Sequence, residues 1–141
     1  MRTTVAFSSA LYRYHEAQGS LESIQAIKSD ALPCFALVTG DLSGIQKYIF
    51  DLKSTKYNAK ILRSRSFLLR SLSESAIRMV CREFGLTSFS CLSVAGGRFT
   101  LILPALPDVG LRVDRIRKAI EMEFIHRFDG KIGRASCRER V

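Results

Sequence analysis

The chain has 141 residues, 47% of them apolar, with 22 lysines and arginines against 13 aspartates and glutamates, a net charge of +9. That length suits one domain with its own core. No segment reaches the roughly 20 apolar residues of a membrane span, no apolar run opens the chain as a leader would, and the four cysteines form neither a Cys-x-x-Cys pair nor any metal-ligand spacing.

Residues 3–18 are predicted as a helix closed by Gly19-Ser20, and 19–32 as a linker, polar and then apolar without a period. Cys34 to Thr39, nearly all apolar and opened by Pro33, reads as a buried strand within 33–40. A helix over 43–53 follows, with Ile45, Tyr48, Ile49 and Leu52 at helical intervals, and then a loop over 54–58. The next helix is expected over 64–84, with Leu69, Leu72, Ala76 and Val80 on one face and Gly85 as its stop. Strands over 88–95 and 98–103 flank Gly96-Gly97, a two-residue connection of the tight-hairpin kind. After a turn at 104–107, residues 109–127 carry Val109, Val113, Ile116, Ile120 and Phe124 as a regular apolar stripe. The order is that of an α+β, ferredoxin-like βαββαβ unit with an extra helix and without its last strand. That strand would pair with the first, whose apolar edge is then expected to lie open.

Between the first strand and its helix stands Gly40-Asp41-Leu42-Ser43-Gly44-Ile45-Gln46, a carboxylate, a hydroxyl and an amide at a strand–helix junction. Ser43-x-x-Gln46 has capping-box spacing, so the helix is expected to start at or just before Ser43, with unpaired amide N–H groups and the positive end of its dipole over the strand end. Gly44 would let a phosphate approach there. The same spacing fits a capped helix with nothing bound. Asp41 can cap the helix, touch a nucleotide or hold a metal.

Three segments in this order resemble the first palm domain of the large subunit of type III CRISPR interference complexes, most like subtype III-A. They are Gly40 to Gln46, Leu62-Arg63-Ser64-Arg65-Ser66-Phe67, and Ala95-Gly96-Gly97-Arg98-Phe99-Thr100-Leu101-Ile102-Leu103-Pro104. The resemblance runs from about Met1 to about His126, with 1–18 similar to the end of that family's HD nuclease domain, 19–32 a linker and 33–130 the palm. It implies a cytoplasmic subunit that pairs two cyclase-like palms and polymerises ATP into cyclic oligoadenylates when its guide RNA meets a target RNA. The setting it implies is a multi-subunit effector complex, and single-stranded DNA is cut by the HD domain. ATP and Mg²⁺ are the implied cofactors, the metal held mainly by the second palm. Asp41, Ser43, Gly44, Gln46, Arg63, Arg65, Gly96 and Gly97 are the implied nucleotide-binding residues, none of them catalytic.

One departure shapes the expectation. The family's second palm carries Gly-Gly-Asp-Asp at its hairpin, whereas this turn reads Gly96-Gly97-Arg98-Phe99, a cation where a carboxylate would be needed. The turn cannot complete a two-metal site, so the chain is expected to be inactive by itself and Asp41 to act as a cap or nucleotide contact. Arg63 and Arg65 stand two apart near a predicted helix start and so point to different faces; at most one is expected to reach a triphosphate. A second reading stays open, a non-catalytic RNA-binding or scaffolding module, because the basic excess is concentrated between Lys47 and Arg82. Against base stacking on the sheet, the strand over 98–103 lacks an aromatic-rich pattern.

Residues 131–141 have no apolar period, no likeness to the family, and look like the translation of a short-read sequencing adapter. They are expected to be foreign to the protein. They carry Lys131, Arg134, Arg138 and Arg140 against Glu139, so the net charge outside them is +6 rather than +9. Cys34, Cys81 and Cys91 are expected as small core residues, and neither His15, followed by Glu16, nor His126 fits a catalyst.

Overall fold

The computed structural model describes residues 2–29, 33–42, 48–49, 57–128 and 135–140. Its elements are α1 (Arg2–Gln18), α2 (Ile24–Ile27), β1 (Phe35–Leu42), α3 (Asn58–Glu83), a 3-10 turn at Ser88–Ser90, β2 (Cys91–Ala95), β3 (Arg98–Pro104), α4 (Val109–Phe128) and β4 (Ala135–Arg140). The four strands form one antiparallel sheet in the order β2-β3-β1-β4, the ferredoxin-like arrangement read from the element order.

Alternation along the strands decides what the sheet carries on each side. Ala36, Val38 and Leu42 of β1 and Phe99, Leu101 and Leu103 of β3 join Leu69, Ala76, Ile77 and Val80 of α3 in the main core. The predicted stripe of α4, Val109, Val113, Ile116, Ile120 and Phe124, is buried in full and completes it. On the opposite face a smaller cluster, Ala6 and Ala10 of α1 with Ile102, leans on Phe35, and the rings of Phe7 and Phe35 meet edge to face at 5.1 Å. α1 covers only that end, so Leu37 stays 43% exposed.

Gly85 stops α3 as expected, with φ +62° and the paired bonds Leu86 N–H to Cys81 O (2.8 Å) and Gly85 N–H to Arg82 O (3.1 Å). Arg13 of α1 donates from Nε to the Gly85 carbonyl at 3.1 Å, tying the first helix to the end of the third.

Several boundaries differ from the sequence reading. β1 runs over 35–42 rather than 33–40, because the ladder to β3 continues through Gly40 and Asp41. α3 begins at Asn58, not at 64, after Tyr57 in the left-handed region at φ 71°; Ile61 and Leu62 are half-buried, so the apolar face starts a turn and a half earlier than the interrupted period suggests. The linker holds the one-turn helix α2, capped by Ser23 and burying nothing. Cys34 and Cys81 are buried, whereas Cys91 is half-exposed at the start of β2. The predicted helix over 43–53 lies outside the described residues, apart from Tyr48 and Ile49.

The last strand, expected to be missing, is present. Ala135–Arg140 pairs with β1 from Leu42↔Ala135 to Leu37↔Arg140. The physical reason is that β1 offers a row of backbone donors and acceptors, and ladder bonds accept any extended segment with few demands on its side chains.

Candidate functional site

The two glycine motifs of the sequence are cross-strand partners. The antiparallel register sets Gly40 opposite Phe99 and Asp41 opposite Arg98. One pair then fixes packing and the other fixes charge. A Cβ on Gly40 would lie 2.2 Å from Cζ of Phe99, so the ring occupies the space that only glycine leaves, on the helix-covered side of the sheet. On the other side, Arg98 donates from Nη2 to Oδ2 of Asp41 at 2.9 Å, with the two side chains 68% and 39% exposed.

The hairpin turn closes this end of the sheet. Gly96 and Gly97 have φ of +57° and +84°, the double left-handed conformation of a two-residue turn between twisted strands. The amide of Leu42 donates to the Gly97 carbonyl at 3.1 Å, so the end of β1 is bonded to the turn. Beside it a cleft of about 440 Å³ opens between the turn and α3, lined by Ile49, Ser66, Arg70 and Ser73 among others. That volume is within the range of small-molecule sites. A larger cleft, about 670 Å³, lies between α3 and β2 around Arg78, Phe89 and Leu92, and holds none of the motif residues.

Of the residues singled out in the sequence, Asp41, Gly96 and Gly97 therefore stand together. Ser43, Gly44 and Gln46 lie outside the described residues. Asp41 is a strand residue and pairs with Arg98; the helix it was expected to cap lies outside the described residues. Arg63 and Arg65 diverge as expected for a spacing of two. Arg65 donates from Nη1 to the carbonyls of Tyr48 (2.6 Å) and Ile49 (3.2 Å) and lies 5.1 Å from the Tyr48 ring centroid, while Arg63 is exposed. Arg65 thus anchors the Tyr48–Ile49 backbone on α3. Sequence reasoning missed Arg98 as the ion-pair partner of Asp41, seeing in it only a lost carboxylate. The signal was available, since a two-residue turn at Gly96-Gly97 fixes which residue of β3 follows it.

Hard divalent metals take several oxygen ligands. Here the one carboxylate at the strand end is bridged to a guanidinium, and among the described residues no group of three or more His, Cys, Asp or Glu converges anywhere. This donor set does not fit Mg²⁺. Burial pushes the Cys81 thiol up to about 11, with nearby Cys91 adding to the effect. Among the described residues no helix is long and apolar enough to cross a membrane.

Comparison with known proteins gives the constellation a context. The family model of Csm1 subunit domain B matches residues 34–137. The subtype III-A single-strand-specific deoxyribonuclease Cas10/Csm1 of Methanocaldococcus jannaschii is 38% identical over 98 residues, covering 70% of this chain and 12% of that protein. Its counterpart in Thermococcus onnurineus is 33% identical over 122 residues, covering 86% and 15%. Among solved structures, a Csm1-Csm4 cassette in complex with pppApA superposes with a TM-score of 0.80 at 26% identity, over 99% of this chain and 18% of that one. The cassette in complex with cA3 gives 0.76 at 27% identity, over the same shares. The chain thus spans less than a fifth of the relatives it matches.

Proposed function

The chain belongs to the Csm1 subunit domain B family of type III-A CRISPR systems, and from that premise we propose that it forms one half of a composite ATP site, completed by a second palm, in a subunit that joins ATP into cyclic oligoadenylates. The observation that carries the reading is the register Gly40↔Phe99 and Asp41↔Arg98. It brings the strand-end motif and the glycine hairpin, far apart in sequence, to one end of one sheet. Solved Csm1-Csm4 cassettes in complex with AMPPNP and with cA3, each sharing this fold over 18% of its chain, support a nucleotide-binding role for the subunit.

In this half the protein supplies a cation rather than a metal. A guanidinium has five N–H donors. One nitrogen of Arg98 is engaged by Asp41, and the exposed remainder can meet phosphate oxygens in charge-assisted bonds, with Asp41 holding the plane of the fork. The left-handed turn keeps backbone without side chains beside it. Mg²⁺ is assigned to carboxylates of the second palm, where it would supply charge neutralisation of the triphosphate and activation of a hydroxyl. The deoxyribonuclease activity in the relatives' names is assigned to other parts of the subunit, because His15 is buried against Ser20, 2.8 Å from Nδ1 to Oγ, and is followed by Glu16.

Titration of ATP against the full-length subunit tests the reading. Arg98→Gln is expected to weaken binding about tenfold, the scale of one charge-assisted contact, while an exposed ion pair contributes at most about 1 kcal/mol to stability. Unchanged ATP affinity in a folded Arg98→Gln protein would overturn it.

A further inference from the structure

The first half of α3 displays an outward face that the nucleotide reading does not use. Lys60, Arg63, Phe67 and Arg70 recur at helical spacing and are all exposed, and between Asn58 and Ser73 there is no carboxylate. Phe67 is 72% exposed, and Tyr57, at the head of the same helix and in the left-handed conformation, is 70% exposed. Ten residues of helical rise separate the backbone positions of these two aromatics by about 15 Å along the axis. The inner face is accounted for by Leu69, Ser73, Ala76 and Ile77. Arg70 pairs with Glu74 at 3.1 Å, an exposed contact that competes weakly for the guanidinium.

What separates this face from a protein-docking surface is its unbalanced charge: protein interfaces deplete charge and lysine at their core, whereas here cations flank the rings with no carboxylate between Asn58 and Ser73. They match what a flexible polyanion with flat bases requires: positive charge to track the phosphates and rings on which bases stack, at roughly 1–3 kcal/mol per base. We propose that this face of α3 binds single-stranded nucleic acid, with bases stacked on Phe67 and Tyr57 and phosphates held by Lys60 and Arg63. The face is separate from the Asp41–Arg98 pair, so the two assignments stand or fall independently.

Anisotropy of a labelled uridine oligomer of about 12 nucleotides, with a thymidine oligomer as the second arm, tests the proposal on the 141-residue chain. Phe67→Ala is expected to weaken binding about tenfold, and Arg63→Gln to weaken it and flatten the salt dependence by about one unit of slope. Arg115→Gln, on the exposed side of α4, is expected to leave binding unchanged. The chain has no tryptophan, so Phe67→Trp introduces a single indole whose emission should be quenched as the oligomer is added. The tighter arm identifies the sugar. Binding unaffected by Phe67→Ala, as charge alone would give, overturns the proposal, and so does an indole that is not quenched, as a protein-docking face would give.

Discussion

At Gly40 one hydrogen atom decides the packing of two strands. The Phe99 ring, 3% exposed, fills the space where a Cβ would stand, so Gly40→Ala forces the ring or the ladder to shift. Overpacking of this kind costs about 1–3 kcal/mol. Denaturant titration should show that loss, and the double variant with Phe99→Leu should recover part of it, because the two positions touch and cannot act additively. Cys81 gives a prediction of a different kind. Its folded pKa, about 11, lies above the value of 9.0 in the unfolded chain. The folded state therefore holds its proton more tightly, and the associated stability is fully present below pH 9 and is lost as pH rises towards 11. Stability measured across that window should fall by about 2 kcal/mol, and Cys81→Ala should remove this part of the slope. An unchanged slope in the alanine variant would mean that another group titrates there.

At the scale of elements, strands and helices differ in how much their sequences reveal. The stripe of α4 and the Gly85 stop of α3 were legible because a helical period and a left-handed terminus are local properties. The start of α3 was not, since Tyr57 adopts a conformation that no local rule favours for a large side chain, and the helix is held by Arg65 reaching back to Tyr48 and Ile49. β4 was illegible for a deeper reason. Ala-Ser-Cys-Arg-Glu-Arg alternates apolar and polar only over its first four residues and ends in three charges, too short a pattern to read as a strand, and what pairs it with β1 is a backbone ladder. We propose that this segment is foreign to the protein and stands where a native strand belongs. Replacing 131–141 by a segment that alternates apolar and polar residues should then raise the thermal midpoint by several degrees, about 1 kcal/mol or more in a domain of this size. Equal midpoints and equal solubility would indicate that the present strand already supplies all that the edge requires.

For the whole molecule, the candidate site was only half legible because half of it is a matter of registration. The sequence displays Gly40-Asp41 and Gly96-Gly97-Arg98-Phe99 as separate motifs, and spacing alone cannot show that β1 and β3 are neighbours aligned to put Asp41 opposite Arg98. Once they are aligned, the arrangement predicts what the chain does alone. Its strand-end carboxylate is already paired with a guanidinium, and its hairpin bears no acidic residue. Phosphoryl transfer between two ATP molecules needs metal to neutralise the triphosphate and to activate the attacking hydroxyl, and a guanidinium does only the first. The purified chain should therefore make no cyclic oligoadenylate from ATP and Mg²⁺, even where ATP binds. Adding a separately folded second palm with its own metal carboxylates should restore synthesis, provided the two halves associate, and Arg98→Gln in this half should lower the restored rate. Chromatography of the reaction mixtures reads all three outcomes. Product from the chain alone would mean that it holds catalytic metal through groups other than the Asp41–Arg98 pair, and the division of labour between the palms would have to be abandoned.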